Sequence, residues 1–358
     1  MSLALCKRIL TAFRQEKREC KVVVMPDFFI DRIINLGYTV ETFTDLMLKV
    51  TNRKGGSLDG IPQTELRGGN AINVASALTN LDAKVTPIVC TSEHGLEQIK
   101  QIFKNKTLDI SHVKTCNRLS MTTALEFLSQ SGKTNVMLRD LGDLADFGPK
   151  NLDESDNEVI KNADYTCLFN WAGTVKFGTA LAKVIFKKAK NGKGKTYLDT
   201  ADPLPNAKAI PDLIEQILET NLVDILSVNE NEAITYAGFL DENLQSRREE
   251  SAQNELSLEA ARILARHLAA RIDLHTAHFS ATLKGNNEVV VPTFRIRVLR
   301  ATGAGDAWDA GNIIGDHYGL SDECRLTLAN AVSACYLQNQ NGLHPIKDEV
   351  ISFINAHV

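Results

Sequence analysis

Short apolar runs alternate with longer amphipathic stretches along most of this chain. The runs are four to six residues long and rich in Val and Ile, which is typical of strands buried on both faces. In residues 257–271, Leu258, Ala261, Leu264, Ala265 and Leu268 recur with the period of a helix. The predicted strands are residues 21–25, 85–90, 165–169, 196–199, 225–228, 278–283 and 289–292.

The longer stretches predict helices at residues 73–81, 96–105, 179–190, 211–220, 257–271, 305–317 and 322–338. Strands that alternate with helices favour an α/β fold, in which a mostly parallel sheet carries helices on both faces.

Two regions interrupt this alternation. Residues 31–67 carry the turn signals Gly55-Gly56 and Asp59-Gly60, and the stretches 122–128 and 134–138 flank a turn at 130–133 and predict a hairpin. We therefore expect a single domain over residues 1–358, with a small β-rich lid formed from segments around 31–67 and 115–140. Residues 1–20 are predicted to form an amphipathic helix and the polar residues 241–254 a surface insertion.

Composition removes several classes of function. The chain has 358 residues, of which 44% are hydrophobic, so it can bury a substantial core. A net charge of -4 and a pI near 6.1 argue against a nucleic-acid partner. Apolar runs of about 18 residues are missing, which argues against a membrane span, and residues 1–20 do not read as a secretory signal. The seven cysteines form no C-x-x-C pair, so we expect reduced thiols in a cytoplasmic protein.

A glycine-rich turn between an extended run and a helix pattern carries the first candidate chemistry. Gly303, Ala304 and Gly305 lie where the first amides of the helix have no internal partner, and Asp306 follows in the first helical turn. Such amides, together with the helix dipole, bind anions. A carboxylate beside them can accept a proton from an attacking hydroxyl. An ordinary helix cap is the alternative.

Two other phosphate motifs are excluded. Gly194-Lys195-Thr196 resembles the end of a P-loop, but Ala189 stands where the upstream glycine is required. The dinucleotide fingerprint would need a glycine at Trp308.

The segment from Thr302 to Asp306, followed by Gly311, resembles the C-terminal signature of the ribokinase-like carbohydrate kinases, the phosphofructokinase-B family. Ala301 stands where that family usually has Asp. The resemblance implies a three-layer ribokinase-like fold and transfer of the γ-phosphoryl group of ATP to a hydroxyl of a sugar or sugar-like molecule. Asp306 would be the catalytic base, beside the anion hole of Gly303, Ala304 and Gly305.

A second match lies in the N-terminal half. Gly68, Gly69 and Asn73 resemble the family's Gly-Gly-x-x-x-Asn signature, which lies against the substrate. Asp31 occupies the place of an Asp that grips substrate hydroxyls, and Asp27 is a weaker second candidate. A tight loop that leads into an ordinary helix is the alternative.

Three further matches follow in the family's order. Asn229 and Glu232 match its Asn-x-x-Glu motif, which would hold Mg²⁺ through water; a capping box is the alternative. Thr282 and Gly285 resemble its Thr-x-x-Gly strand end and would approach the nucleotide. Asn330 matches a polar residue in the wall of the adenine pocket.

The resemblance implies ATP and Mg²⁺ as cofactors and a small-molecule substrate, and it allows a monovalent cation and a homodimer through the lid. Other functions stay open. A nucleoside kinase of the same superfamily could stack a base on Phe28, Phe29 or Trp171. A catalytically silent ligand-binding protein on this fold and a nucleotide-dependent lyase on a related fold are the remaining alternatives.

Overall fold

The structure is a computed structural model that describes residues 8, 9, 11, 13, 19–104, 108–129, 132–241, 243–244, 253–299 and 302–357. For residues 132 and 133 it describes the backbone alone. Most of the predicted N-terminal helix, half of the turn at 130–133, most of the insertion at 241–254 and Ala301 lie outside the described residues.

The strands, in chain order, are β1 (Lys21–Met25), β2 (Phe29–Asn35), β3 (Gln63–Gly68), β4 (Lys84–Pro87), β5 (Cys90–Ser92), β6 (Lys114–Cys116), β7 (Ser120–Ser129), β8 (Gly132–Asp140), β9 (Tyr165–Leu168), β10 (Lys195–Asp199), β11 (Ile225–Val228), β12 (Arg271–His275), β13 (Phe279–Lys284) and β14 (Asn287–Pro292). The helices are α1 (Val40–Asn52), α2 (Asn70–Asn80), α3 (Glu93–Ile102), α4 (Glu154–Asn162), α5 (Gly178–Ala189), α6 (Ile210–Leu213), α7 (Glu230–Leu240), α8 (Gln253–His267), α9 (Ala304–His317), α10 (Asp322–Leu337) and α11 (Lys347–Ala356).

Eight strands form the central sheet in the order β14-β13-β12-β11-β10-β9-β1-β4. The strands from β12 to β4 run parallel, whereas β13 and β14 run antiparallel at one edge. Every residue of β9 and β11 is buried, as the unbroken apolar runs predict for strands covered on both faces.

Alternate side chains of one strand enter different cores, which shows the three layers directly. Val22 and Val24 of β1 pack in a core with residues of α2, α9 and α10. Val23 and Met25 pack in a second core with residues of α5, α7 and α8. Because neighbouring side chains of a strand point to opposite faces, helices cover the sheet on both sides, as predicted.

A second sheet has the order β3-β2-β7-β8 and, with α1, is called the lid below. Its strands lie within the two segments predicted to form a β-rich lid, and β7 and β8 pair as the predicted hairpin, with Leu125 opposite Val136. Helix α1 connects β2 to β3 and has no buried residue. The closing movement of this lid stays a prediction.

The predicted helix at 257–271 is wrong at its C-terminal end. Helix α8 ends at His267, and the last predicted helical residue, Arg271, opens strand β12. Apolar residues continue from Leu268 and Ala270 into Ile272 and Leu274, so the helical period merges with the strand period. The predicted strand at 85–90 is also divided, between β4 and β5.

Among the residues described, we find no helix with the length and apolar content needed to span a bilayer.

Candidate active site

Two helices begin directly after a glycine at the site. Helix α9 is preceded by Gly303 at φ 87°, and helix α2 by Gly69 at φ 93°. A Cβ at Gly303 would lie 2.5 Å from Tyr336 Oη, and one at Gly69 would lie 2.9 Å from Phe28 Cα. Only glycine fits both positions, and neither helix receives a hydrogen bond from an N-cap side chain. The first amides of α9 therefore stay available for an anion.

Asp306 lies in the first turn of α9 and is only 6% exposed. Asn70 Nδ2 donates to its Oδ1 at 2.9 Å, and Asn73 Nδ2 donates to its Oδ2 at 2.9 Å. Burial raises the pKa of Asp306 to about 7, against the opposing effect of the two amide hydrogen bonds. A carboxylate with a pKa near neutrality can both accept and release a proton at physiological pH.

A second hydrogen bond, from Arg67, fixes the orientation of the Asn73 amide. Arg67 Nε donates to Asn73 Oδ1 at 2.9 Å, so the other amide atom, Nδ2, faces Asp306. Arg67 Nη2 also lies 3.2 Å from His344 Nδ1, and the His344 ring stacks on Tyr336 with a centroid distance of 4.5 Å. The support of the carboxylate thus extends to α10.

Asp27 has a structural task at the start of α2. Its buried carboxylate accepts from the backbone amides of Asn70 at 3.0 Å and Ala71 at 2.9 Å, and from Asn170 Nδ2 at 2.9 Å. It caps the helix from a distance, which places Asn70 and Asn73 beneath Asp306. Burial raises the pKa of Asp27 as well.

Asp31 faces the paired glycines. Strands β2 and β3 pair antiparallel with Leu66 opposite Asp31, and a Cβ at Gly68 would overlap the Asp31 carboxylate. Burial raises the pKa of Asp31, while a hydrogen bond from Thr122 of the lid lowers it. Because Gly69 leads directly into Asn70, the structure brings Asp31, Gly68, Gly69 and Asn73 to one side of Asp306.

A cavity of about 990 Å³ extends from the first turn of α9, and its lining does not include Asp31, Gly68, Gly69 or Asn73. Its lining includes Ala304, Asn330, Glu230 and the loop from Thr276 to His278 after β12. Asn330 Oδ1 accepts from Ser280 Oγ at 2.6 Å and from Trp308 Nε1 at 2.9 Å, so its side chain is firmly held in the wall.

Thr282 and Gly285 lie elsewhere. Strand β13 runs antiparallel to β12, with Ser280 opposite His275 and Thr282 opposite Asp273, so the chain moves away from the carboxyl ends of the parallel strands. Thr282 Oγ1 donates to Asp273 Oδ1 at 2.5 Å and accepts from Arg325 Nη2 at 2.9 Å in a buried network.

Thr282 also lines a different cavity, of about 390 Å³, together with Lys195 and Arg271 at the amino ends of β10 and β12. The structure therefore brings Asn330 into the large cavity, but neither Thr282 nor Gly285. Thr276 and His278 line that cavity instead. The sequence patterns do not reveal their role because no strand is predicted over residues 272–277, where β12 ends.

Asn229 and Glu232 form the capping box that was the alternative reading of their motif. Asn229 N and Nδ2 donate to the Glu232 carboxylate at 3.0 and 2.7 Å, and Glu232 N donates to Asn229 Oδ1 at 3.0 Å. Burial and the charge of Asp199 raise the pKa of Glu232 well above its ordinary value. The same carboxylate adds to an acidic group with Asp199, Asp202 and Glu230, which is the kind of environment that attracts a divalent cation.

Several solved structures resemble the whole chain. An adenosine kinase from Sinorhizobium meliloti superposes with a TM-score of 0.72 at 15% identity, over 96% of this chain and 100% of that one. A ribokinase from Arabidopsis thaliana, complexed with ribose and ATP, gives 0.69 at 17% identity over 94% and 99%. A nucleoside kinase from Methanocaldococcus jannaschii gives 0.66 at 15% identity over 96% and 100%. Likeness at this level of identity shows the ribokinase-like fold.

Sequence comparison is more decisive for the family. No curated protein matches the chain significantly by sequence. The profile of the pfkB family carbohydrate kinases, however, matches residues 36–349, which include the paired glycines, the capping-box motif and the Asp306 turn. The match covers most of the chain, so this protein belongs to the pfkB family of carbohydrate kinases.

Proposed function

We propose that the protein transfers the γ-phosphoryl group of ATP to a hydroxyl of a sugar or sugar-like small molecule, with Asp306 as the base. One observation carries this proposal. Two amides hold the Asp306 carboxylate at the uncapped start of α9, and its pKa is about 7. The site thus joins an anion-binding turn to a proton acceptor, as phosphoryl transfer to a hydroxyl requires.

The acceptor occupies the side of Asp306 that faces the lid. Asp31 accepts hydrogen bonds from substrate hydroxyls, and the missing side chains at Gly68 and Gly69 let the substrate approach the backbone. Asn73 lies beside the base and therefore also contacts the acceptor, although its amide already donates to Asp306. The hydrogen bonds to the Asp31 carboxylate are charge-assisted, and such bonds give strong recognition of polyhydroxyl compounds.

ATP occupies the large cavity, whose volume lies within the usual range for small-molecule sites. Asn330 lines this cavity. Asn229 caps helix α7, whose first residue, Glu230, also lines it. Thr276 and His278 take the place that the sequence analysis gave to Thr282 and Gly285. The phosphates extend toward the amides of Ala304, Gly305 and Asp306, since Ala304 lies at the junction of cavity and turn.

Mg²⁺ fits the acidic group around Glu232, which would hold it through water because this ion keeps much of its hydration shell. Bound there, it would neutralise phosphate charge. Asp306 removes the proton from the attacking hydroxyl while the first amides of α9 stabilise the charge on the transferred group. Closure of the lid would keep water out, since an open site would hydrolyse ATP.

The residues considered for a nucleoside acceptor are not available for stacking. Phe28, Phe29 and Trp171 are at most 2% exposed, and Trp171 Nε1 donates to Thr179 Oγ1 at 3.1 Å. They belong to the core, so this observation favours a sugar over a nucleoside base.

The test is an ATP-consumption assay with matched panels of sugars, sugar alcohols and nucleosides, followed by identification of the phosphorylated product. We expect turnover with at least one sugar-like compound. Turnover with nucleosides alone would replace the proposed acceptor class, and ATP binding without turnover on either panel would favour a silent binding protein.

A further inference from the structure

Three side chains converge beside the anion-binding turn, and two of them, His275 and Asp309, have no part in the proposed transfer. Asp199 ends β10, His275 ends β12, and Asp309 lies one turn after Asp306 on α9. One potential ligand atom of each lies within 4.8 Å of those of the other two. Parallel strands bring their carboxyl ends to one edge of the sheet, which explains how residues so far apart in sequence meet here.

Two of these groups have buried atoms without a hydrogen-bond partner among the described residues. They are His275 Nε2 and Asp309 Oδ2, and the Asp309 side chain is completely buried. An unsatisfied buried polar atom costs about 1–3 kcal/mol, so such atoms are uncommon, and a bound ion is one explanation for them. Here both occur in the same three-residue cluster.

The remaining oxygens of the carboxylates are held in place. Asp309 Oδ1 accepts from Tyr197 Oη and from Ser227 Oγ, both at 2.6 Å. Asp199 Oδ1 accepts from the backbone amide of Ala201 at 2.8 Å. Donors that orient one oxygen of a carboxylate and leave the other unpaired are typical of the outer shell of a metal site.

The charge balance points the same way. Asp199 is 6% exposed and Asp309 is fully buried, so their two carboxylates share one buried space. Two carboxylates in a buried space repel each other, and a cation between them would remove this repulsion.

We propose that Asp199, His275 and Asp309 form a binding site for a divalent transition-metal cation such as Mn²⁺ or Zn²⁺. An imidazole ligand favours these ions over Mg²⁺, which prefers oxygen ligands and water. Three protein ligands also leave coordination positions open, as in catalytic rather than structural metal sites.

The position of this site would allow the ion to bind phosphate. A Cβ at Gly305 would lie 3.2 Å from His275 Cε1, so the imidazole borders the first turn of α9. The open positions of the ion would then take phosphate oxygens at the same turn. This role rests on the proposed function, whereas the binding of the metal does not.

The test is isothermal titration of the metal-stripped full-length protein with Mn²⁺, Zn²⁺ and Mg²⁺ in separate experiments. We expect one Mn²⁺ or Zn²⁺ per chain and weaker binding of Mg²⁺. His275→Gln and Asp309→Asn should each weaken Zn²⁺ binding more than about 100-fold, since even outer-shell partners are worth 10–100-fold. The matched controls are His94→Gln and Asp348→Asn, which change exposed residues of α3 and α11 and should leave Zn²⁺ affinity unchanged.

Co²⁺ supplies a second measurement that does not depend on a variant. The Trp308 ring lies 5.0 Å from the His275 ring, so bound Co²⁺ should quench Trp308 fluorescence, and Zn²⁺ should reverse the quenching. Circular dichroism of each variant checks that it is folded. The proposal is overturned if the wild type binds neither Mn²⁺ nor Zn²⁺, or if the folded triad variants bind Zn²⁺ as the wild type does.

The two proposals fail in different ways. Sugar phosphorylation that needs only Mg²⁺, in a protein that does not bind Mn²⁺ or Zn²⁺, would remove the metal site and leave the kinase. Tight, His275-dependent Zn²⁺ binding in a protein that phosphorylates none of the tested compounds would do the reverse.

Discussion

Asn73 donates a 2.9 Å hydrogen bond from Nδ2 to Oδ2 of Asp306, across 233 positions of sequence. The bond joins the first turns of α2 and α9, and Asn70 makes the equivalent bond to the other oxygen at 2.9 Å. These donors favour the ionised carboxylate, whereas burial favours the neutral acid. The balance between them sets the pH at which the proposed base can work.

The first prediction concerns this balance. A base must be ionised to accept a proton, so kcat/KM of the wild type should fall as the pH drops below about 7, the pKa of Asp306. Asn73→Leu removes a donor to the ionised form, which should move this fall to higher pH. A pH profile of kcat/KM for the acceptor found in the panel, recorded for the wild type and the variant, measures both effects.

Asn70→Leu should move the profile in the same direction, because Asn70 holds the other oxygen. Asn162→Leu, at the exposed end of α4, serves as the control and should not shift it. An Asn73→Leu profile that coincides with that of the wild type would show that this bond does not tune the base.

Stability should reveal the same buried acid. The pKa of Asp306 is higher in the folded state, about 7, than the ordinary 3.8, so ionisation destabilises the fold as the pH rises between these values. Asp306→Asn carries no charge. Its stability relative to the wild type should therefore increase by about 1–4 kcal/mol from pH 4 to pH 8, at roughly 1.4 kcal/mol per pKa unit.

Denaturant unfolding at the two pH values measures this difference. The new amide nitrogen cannot accept a bond from Asn70 or Asn73, which lowers the stability of the variant at both pH values and cancels in the comparison. A relative stability that stays constant from pH 4 to pH 8 would contradict the raised pKa.

Gly68→Ala should affect acceptor binding. The added methyl group would overlap the Asp31 carboxylate and displace it. We expect KM for the acceptor to rise at least about 10-fold, since a hydrogen bond to a charged group is worth roughly 1.5–3 kcal/mol, with a much smaller change in KM for ATP. Thr64→Ala, at an exposed position of the same strand β3, is the control. Equal effects of the two substitutions would separate Asp31 from acceptor recognition.

Thr282→Val should act on stability rather than on nucleotide binding. It removes the bonds to Asp273 and Arg325 and should lower the free energy of unfolding by about 1–3 kcal/mol, with an unchanged KM for ATP. His278→Ala, at the rim of the large cavity, should instead raise KM for ATP. A higher KM for ATP in Thr282→Val would restore the role that the sequence motif gives this residue.

Local patterns determine what the sequence predicts well. Strands β1 and β11 begin and end where their apolar runs do, and α9 begins one residue before its predicted start, because glycine and an apolar period mark these boundaries within a few residues. The same locality made Gly303 to Asp306 visible as a site.

Sequence patterns do not show in the same way which distant segments come into contact. Asn70 was missed although it lies one helical turn before Asn73, since the partner that gives it meaning is Asp306 on another helix. Thr282 was placed at the nucleotide because its motif says nothing about strand direction, which the antiparallel pairing of β12 and β13 reverses. His275 and Asp309 carry no local signal at all.

The most direct test of the central claim is the turnover of Asp306→Asn with the acceptor found in the panel. We expect kcat to fall by about 10²–10⁴-fold, the usual contribution of a positioned base, while the Kd for ATP changes little. A folded variant that keeps near-normal kcat would contradict Asp306 as the base.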